Sequence, residues 1–122
     1  MLRALLCHHR CGSTWLSGLL EEVCGHTGHR FAQVFDADMV GGDISAFVQR
    51  ESVEVLVYMN ADDGQVQGLN ELRGVHVVRD PRDVLVSSYF SHRNSHPTDY
   101  WKGLEEHRAQ LKSMNVSQGL LA

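Results

Sequence analysis

Apolar residues fall along this chain in two alternating periods. LRALLC (2–7) is a short apolar run that stops at a polar turn, the pattern of a buried parallel strand. Leu16, Leu19, Leu20 and Val23 then recur at helical spacing. They predict a helix that begins near Ser13 or Thr14, either able to cap it, and ends at Gly25. RFAQVF (30–35) predicts a second strand, DADMVGGD a loop, and Asp43 the cap of a short helix through ISAFVQR. VEVLVYM (53–59), β-branched and apolar almost throughout, is the clearest strand in the chain.

NADDGQ breaks that strand, VQGLNELRG predicts a short irregular helix, and GVHVV (74–78) predicts a further strand. The period then changes sharply in RDPRDVLVSSYFSH. Asp80 is placed to be an N-cap, Pro81 suits a first helical position, and Asp83 puts an acid in the first turn. SHRNSHP reads as a loop, Tyr100, Leu104, His107 and Leu111 mark a last amphipathic helix, and the tail NVSQGLLA carries little pattern. Strand and helix in alternation predict a three-layer α/β unit with a mainly parallel central sheet.

At 122 residues the chain makes one domain at most, with a modest core. With 43% hydrophobic and 21% charged residues it is an ordinary globular sequence, not a disordered or fibrous one. A formal charge of −4 argues against broad adhesion to nucleic acid or to anionic membrane, so a small anion must be held by local groups. Cys7, Cys11 and Cys24 are odd in number and not spaced as C-x-x-C, which favours a reducing, cytoplasmic compartment over a disulfide framework. MLRALLCHH is too short in its apolar part for a signal peptide, and no run approaches the roughly 18 apolar residues of a membrane span.

In an open α/β sheet, ligands sit beyond the carboxyl ends of the strands. Two such ends here carry basic and hydroxyl residues. After the first strand come Arg10, Cys11, Gly12, Ser13 and Thr14. Glycine lets the backbone approach an oxyanion closely, and the amides that follow point outward at a helix N-terminus. By itself this segment fits a plain capped helix as well as a phosphate cradle. At the second end Arg79 closes its strand and Ser87 lies two turns into the next helix, where a doubled-back loop brings both to one phosphate. Arg82 and Asp83 read as a solvated first turn.

Taken together, the two segments resemble the nucleotide-binding signatures of sulfotransferases that use 3′-phosphoadenosine 5′-phosphosulfate (PAPS). The first signature, Pro-Lys/Arg-Ser-Gly-Thr-Thr-Trp after a strand, is matched by HRCGSTW with Arg10, Gly12, Ser13, Thr14 and Trp15. The second, Val-Arg-Asp/Asn-Pro-Arg/Lys-Asp-Val-x-Val-Ser, is matched nearly residue for residue by VRDPRDVLVS. The resemblance spans roughly residues 3 to 92, with about twenty diagnostic positions. It implies a P-loop-like sulfotransferase fold in which the backbone of residues 11 to 15 wraps the 5′-phosphate and Arg79 and Ser87 hold the 3′-phosphate. Arg10 then neutralises charge on the bridging oxygen as the sulfonyl group leaves for an acceptor hydroxyl or amine. Trp15 either packs under the adenine side or sits in the core, and the core is the expectation favoured.

The match also departs from the family. Arg10 stands where cytosolic members usually carry lysine, and an arginine stabilises charge but does not readily give up a proton. Cys11 replaces a serine. The usual histidine base after the strand that precedes the second signature is missing, since that place reads VYMNADD; Asp62, Asp63, Glu21 and Glu22 are the carboxylates left to consider. The family's later Arg-Lys-Gly-like stretch has no counterpart, so the chain resembles the N-terminal half of such a fold, a single partial domain over 1–122. A nucleotide-binding module without catalysis is therefore one alternative. A P-loop kinase or NTPase is another, although G-x-x-x-x-G-K-[ST] does not occur. The pairs His8/His9, His26/His29 and His92/His96 have ligand-like spacing, yet no cysteine or carboxylate completes a tetrahedral set, and no metal is expected.

Overall fold

The computed structural model describes residues 1–99 and 101–122; Tyr100, one expected marker of the last helix, lies outside the described residues. The chain divides into two compact units, Met1–Val78 and Arg79–Ala122.

The first unit is an α/β fold on a four-stranded, all-parallel sheet flanked by helices. Its strands are β1 (Leu2–Leu6), β2 (Phe31–Val34), β3 (Val55–Tyr58) and β4 (Leu72–His76), in spatial order β2-β3-β1-β4. Between them run α1 (Ser13–Thr27), a 3-10 turn (Ala37–Val40), α2 (Ile44–Arg50) and α3 (Asp63–Gln67). The period-2 pattern divides the strand residues between two cores. Leu2, Ala4, Val34, Leu56 and Tyr58 pack with Ile44 of α2, whereas Leu5, Cys7, Val57 and Met59 pack with Leu16 and Leu20 of α1. The chain leaves β1 toward β2 and leaves β3 toward β4, in opposite directions across the sheet. Right-handed crossovers then put the connecting helices on opposite faces.

Several boundaries differ from the expectation. Neither Ser13 nor Thr14 caps α1: the N-cap is Gly12, left-handed at φ 80°, with no side-chain cap. Nor does α1 stop at Gly25. It continues to Thr27 and ends where the amides of left-handed Gly28 and of His29 both donate to the Cys24 carbonyl. Its buried positions are Ser17 and Cys24, with Leu16 and Leu20 half-buried, while Leu19 and Val23 face solvent. On this inner face the Ser17 hydroxyl donates to Oε1 of the Gln33 side chain on β2. The expected loop after β2 holds the 3-10 turn, capped by Asp36, whose carboxylate accepts from the Met39 amide.

Asp43 caps α2 as expected, accepting from the Ala46 amide at 2.9 Å. The next helix forms earlier than VQGLNELRG, inside the NADDGQ break, because Asp62 accepts from the Gln65 amide at 3.0 Å. Pairing with β1 likewise starts β4 at Leu72, opposite Leu2, and ends it at His76, opposite Leu6.

In the second unit α4 (Pro81–Asn94) starts as its sequence predicts, with the Asp80 carboxylate accepting from the Arg82 amide at 2.9 Å and Pro81 in the first turn. It runs through Ser91–Asn94, expected as loop, and stops where the amides of Ser95 and His96 both reach the Ser91 carbonyl, at 2.8 and 2.7 Å. The expected amphipathic helix is α5 (Leu104–Ser113), burying Leu104 and Leu111. The tail is not featureless. It forms α6 (Val116–Gly119) with a reciprocal capping box between Asn115 and Gln118.

Candidate functional site: the turn from β1 into α1

Adjacent strands β1 and β3 send the chain in opposite directions, so the crevice beyond their carboxyl ends is a topological switch point. The two ends are locked together past the strands themselves. The Cys7 amide donates to the Tyr58 carbonyl at 2.9 Å, and the Ala61 amide to the Cys7 carbonyl at 3.0 Å. Cys7 is fully buried in the core with Leu5, Val57 and Met59, and that burial, then the neighbouring Cys11, pushes its thiol above its ordinary value.

From that anchor the chain turns tightly. The Cys11 amide donates to the His8 carbonyl at 3.3 Å, and two residues take left-handed backbone, Arg10 at φ 63° and Gly12 at φ 80°. No atom lies within 4 Å of a Cβ built on Gly12, so its backbone angle and not space calls for glycine. The first intrahelical bond runs from the Leu16 amide to the Gly12 carbonyl at 3.2 Å. The amides of Ser13, Thr14 and Trp15 therefore have no acceptor inside the helix, and they sit at the positive end of a 15-residue dipole. Arg10, Cys11, Gly12, Ser13, Thr14 and Trp15 are thus gathered on one turn. Trp15 corrects an expectation: its side chain is 72% exposed and lies outside the core. An aromatic in the first turn of a helix whose inward stripe is Leu16, Ser17, Leu20 and Cys24 points away from the sheet.

Arg79 and Ser87 belong to the second unit. With β4 ending at His76, Arg79 does not close its strand but lies in the segment leading into α4. Its Nε is 3.9 Å from Asp83 Oδ2, one turn ahead. Ser87 is half-buried on α4. Arg82 forks onto Asp80, with Nε at 3.0 Å and Nη2 at 2.7 Å, and together with its own backbone amide holds that carboxyl below the usual range. Arg82 is a surface residue completing a cap, as its sequence context predicts.

Of the four carboxylates considered as bases, Asp62 and Asp63 are engaged in local bonds. Asp62 accepts from Tyr58 Oη at 2.7 Å and caps α3, and these bonds pull its pKa down, the reverse of what a proton acceptor needs. Asp63 accepts from Gln67 Nε2 at 2.6 Å. Glu21 and Glu22 are exposed on α1, and Glu21 is eight residues from Ser13, about 12 Å along the axis. Sequence reasoning passed over a different group at the sheet's carboxyl edge: His8 and His76 meet with their Nε2 atoms 2.8 Å apart. In the sequence the signal was slight: His8 closely follows the first expected strand, and His76 lies within GVHVV, the strand that pairs with it.

Comparisons with family models, with curated proteins and with solved structures found no match.

Proposed function

We propose that this chain is the nucleotide-binding part of a PAPS-dependent sulfotransferase. The observation that carries the reading is the turn at the switch point, where left-handed Arg10 and Gly12 lead the chain into the first-turn amides of Ser13, Thr14 and Trp15 at the mouth of α1. A 5′-phosphosulfate fits there as anions fit helix N-termini. The 3′-phosphate of the same donor is assigned to Arg79 and Ser87, through the match of VRDPRDVLVS to the second signature. The finer architecture, three-layered and P-loop-like, belongs to the same proposal. Helix packing of α1 against one core and α2 against the other supports it.

In the proposed reaction an acceptor oxygen or nitrogen attacks sulfur in line. The bond from sulfur to the bridging oxygen breaks, adenosine 3′,5′-bisphosphate leaves, and the acceptor's proton passes to a base. Arg10 supplies a fixed charge beside the departing oxygen, and the backbone amides hold the phosphate still. The reading includes no metal and no nucleic-acid partner.

Engagement of Asp62 and Asp63 in capping and side-chain bonds favours a second reading, a module that binds nucleotide without turnover. A P-loop kinase or NTPase is the weaker rival, since no lysine precedes Ser13 to reach β- and γ-phosphates. Titration with adenosine 3′,5′-bisphosphate tests the shared part. Arg79→Ala is expected to weaken binding at least tenfold, and equal binding by parent and variant rejects the assignment of Arg79. Preference for ATP with Mg²⁺ reverses the ranking of donor classes. Sulfonyl-transfer assays on a panel of hydroxyl and amine acceptors separate the enzyme from the module.

A further inference from the structure

His8 and His76 are 68 positions apart in sequence and are brought together by strand register. His76 ends β4 opposite Leu6 of β1, and His8 follows Leu6 by two residues, so both project from one face of the sheet at its carboxyl edge. Both side chains are exposed. Their rings meet edge to face at 4.9 Å between centroids and 67° between planes.

The Nε2 atoms stand 2.8 Å apart as the two ends of one hydrogen bond, near enough that a small rotation of each exposed ring turns both lone pairs onto one ion. Among divalent ions two imidazole donors bind Cu(II) most tightly, above Ni(II) and zinc, and a tetragonal ion takes water in the positions the protein leaves. We propose that His8 and His76 form a two-imidazole chelate for a tetragonal divalent transition-metal ion of the Cu(II) class, with water in the remaining positions. In the metal-free pair one ring carries its proton on Nε2 and donates to the other. Binding moves that proton to Nδ1 of the same ring, so both Nε2 lone pairs reach the ion with no net loss of a proton. The backbone supplies the preorganisation, because Leu6 and His76 are paired and the Val77 amide donates to the Leu6 carbonyl at 2.8 Å. This inference does not depend on the nucleotide reading.

The test is a Cu(II) titration of the whole chain, followed by calorimetry and by electron paramagnetic resonance of the first equivalent. A chelate needs both rings. His8→Ala and His76→Ala are each expected to weaken the first equivalent by about tenfold or more, and the double variant by no more than either single one. His76→Gln, which keeps the bulk and polarity of an exposed strand end, is expected to match His76→Ala, with unchanged circular dichroism. A control pair, His26→Ala with His29→Ala, is expected to leave the first equivalent intact. Parental affinity in either histidine variant, or losses that simply add in the double variant, overturns the chelate.

Discussion

Tyr58 and Asp62 form a hydrogen bond that links the sheet to the crevice loop: the buried phenol donates from Oη to Asp62 Oδ2 at 2.7 Å. The same carboxylate uses its other oxygen to accept the Gln65 amide and start α3. One carboxylate thus fixes both the end of β3 and the path of the loop beyond it.

That bond has a pH signature at each end of the scale. Burial, and then Asp62, push Tyr58 up to about 12, above its free value. Between about pH 10 and 12 the unfolded chain has lost that phenolic proton while the folded chain keeps it. Stability is therefore expected to fall as pH rises through this window. Asp62 is shifted the other way, its carboxyl held low first by Tyr58 and then by the Gln65 amide. Its contribution is present above the usual carboxylate range and is lost as pH falls through its folded value. Spectrophotometric titration should find a late-ionising tyrosine that Asp62→Asn moves down and Tyr58→Phe removes.

Gly74 allows β4 to lie close against β1. A Cβ at position 74 would stand 2.8 Å from the Ala4 carbonyl oxygen, a backbone atom that cannot swing aside. Gly74→Ala is expected to destabilise the first unit by about 1–3 kcal/mol, the usual range for overpacking. Urea unfolding measures the loss, and faster hydrogen exchange of the Val77 amide, which bonds the Leu6 carbonyl, localises it.

A second close approach lies in the other unit. A Cβ on Gly119 would overlap the ring of Tyr89, which is itself buried. Gly119→Ala is expected to cost about 1–3 kcal/mol by the same mechanism. The additional substitution Tyr89→Leu should recover part of the loss, which a thermal-melt double-mutant cycle reads as coupling.

The β1–α1 turn predicts a separation between stability and binding. Trp15→Ala removes an exposed ring and is expected to change stability by no more than about 0.5 kcal/mol. Gly12→Ala forces a left-handed alanine at φ 80° and is expected to cost about 1–2 kcal/mol with no steric clash. On the proposed reading it also displaces the first-turn amides, so adenosine 3′,5′-bisphosphate binding should weaken about tenfold or more. Calorimetric titration of both variants, beside their melts, checks the pair.

Hydrophobic period determined much of this protein by itself. The runs at 2–7, 30–35 and 53–59 mark β1, β2 and β3, because strands buried on both faces need near-continuous apolar sequence. Local capping chemistry was equally legible. Asp43 and Asp80 begin α2 and α4 as their positions imply, since a cap is a bond between neighbours in sequence. The turn at Arg10–Thr14 was visible for the same reason. Tertiary structure decided what depends on partners distant in sequence. Pairing with β1 set the bounds of β4, packing on the sheet put Ser17 of α1 against Gln33 of β2, and Trp15 was left outside. The same parallel register, which no local pattern encodes, set His76 against His8 and made a pair from two unrelated residues.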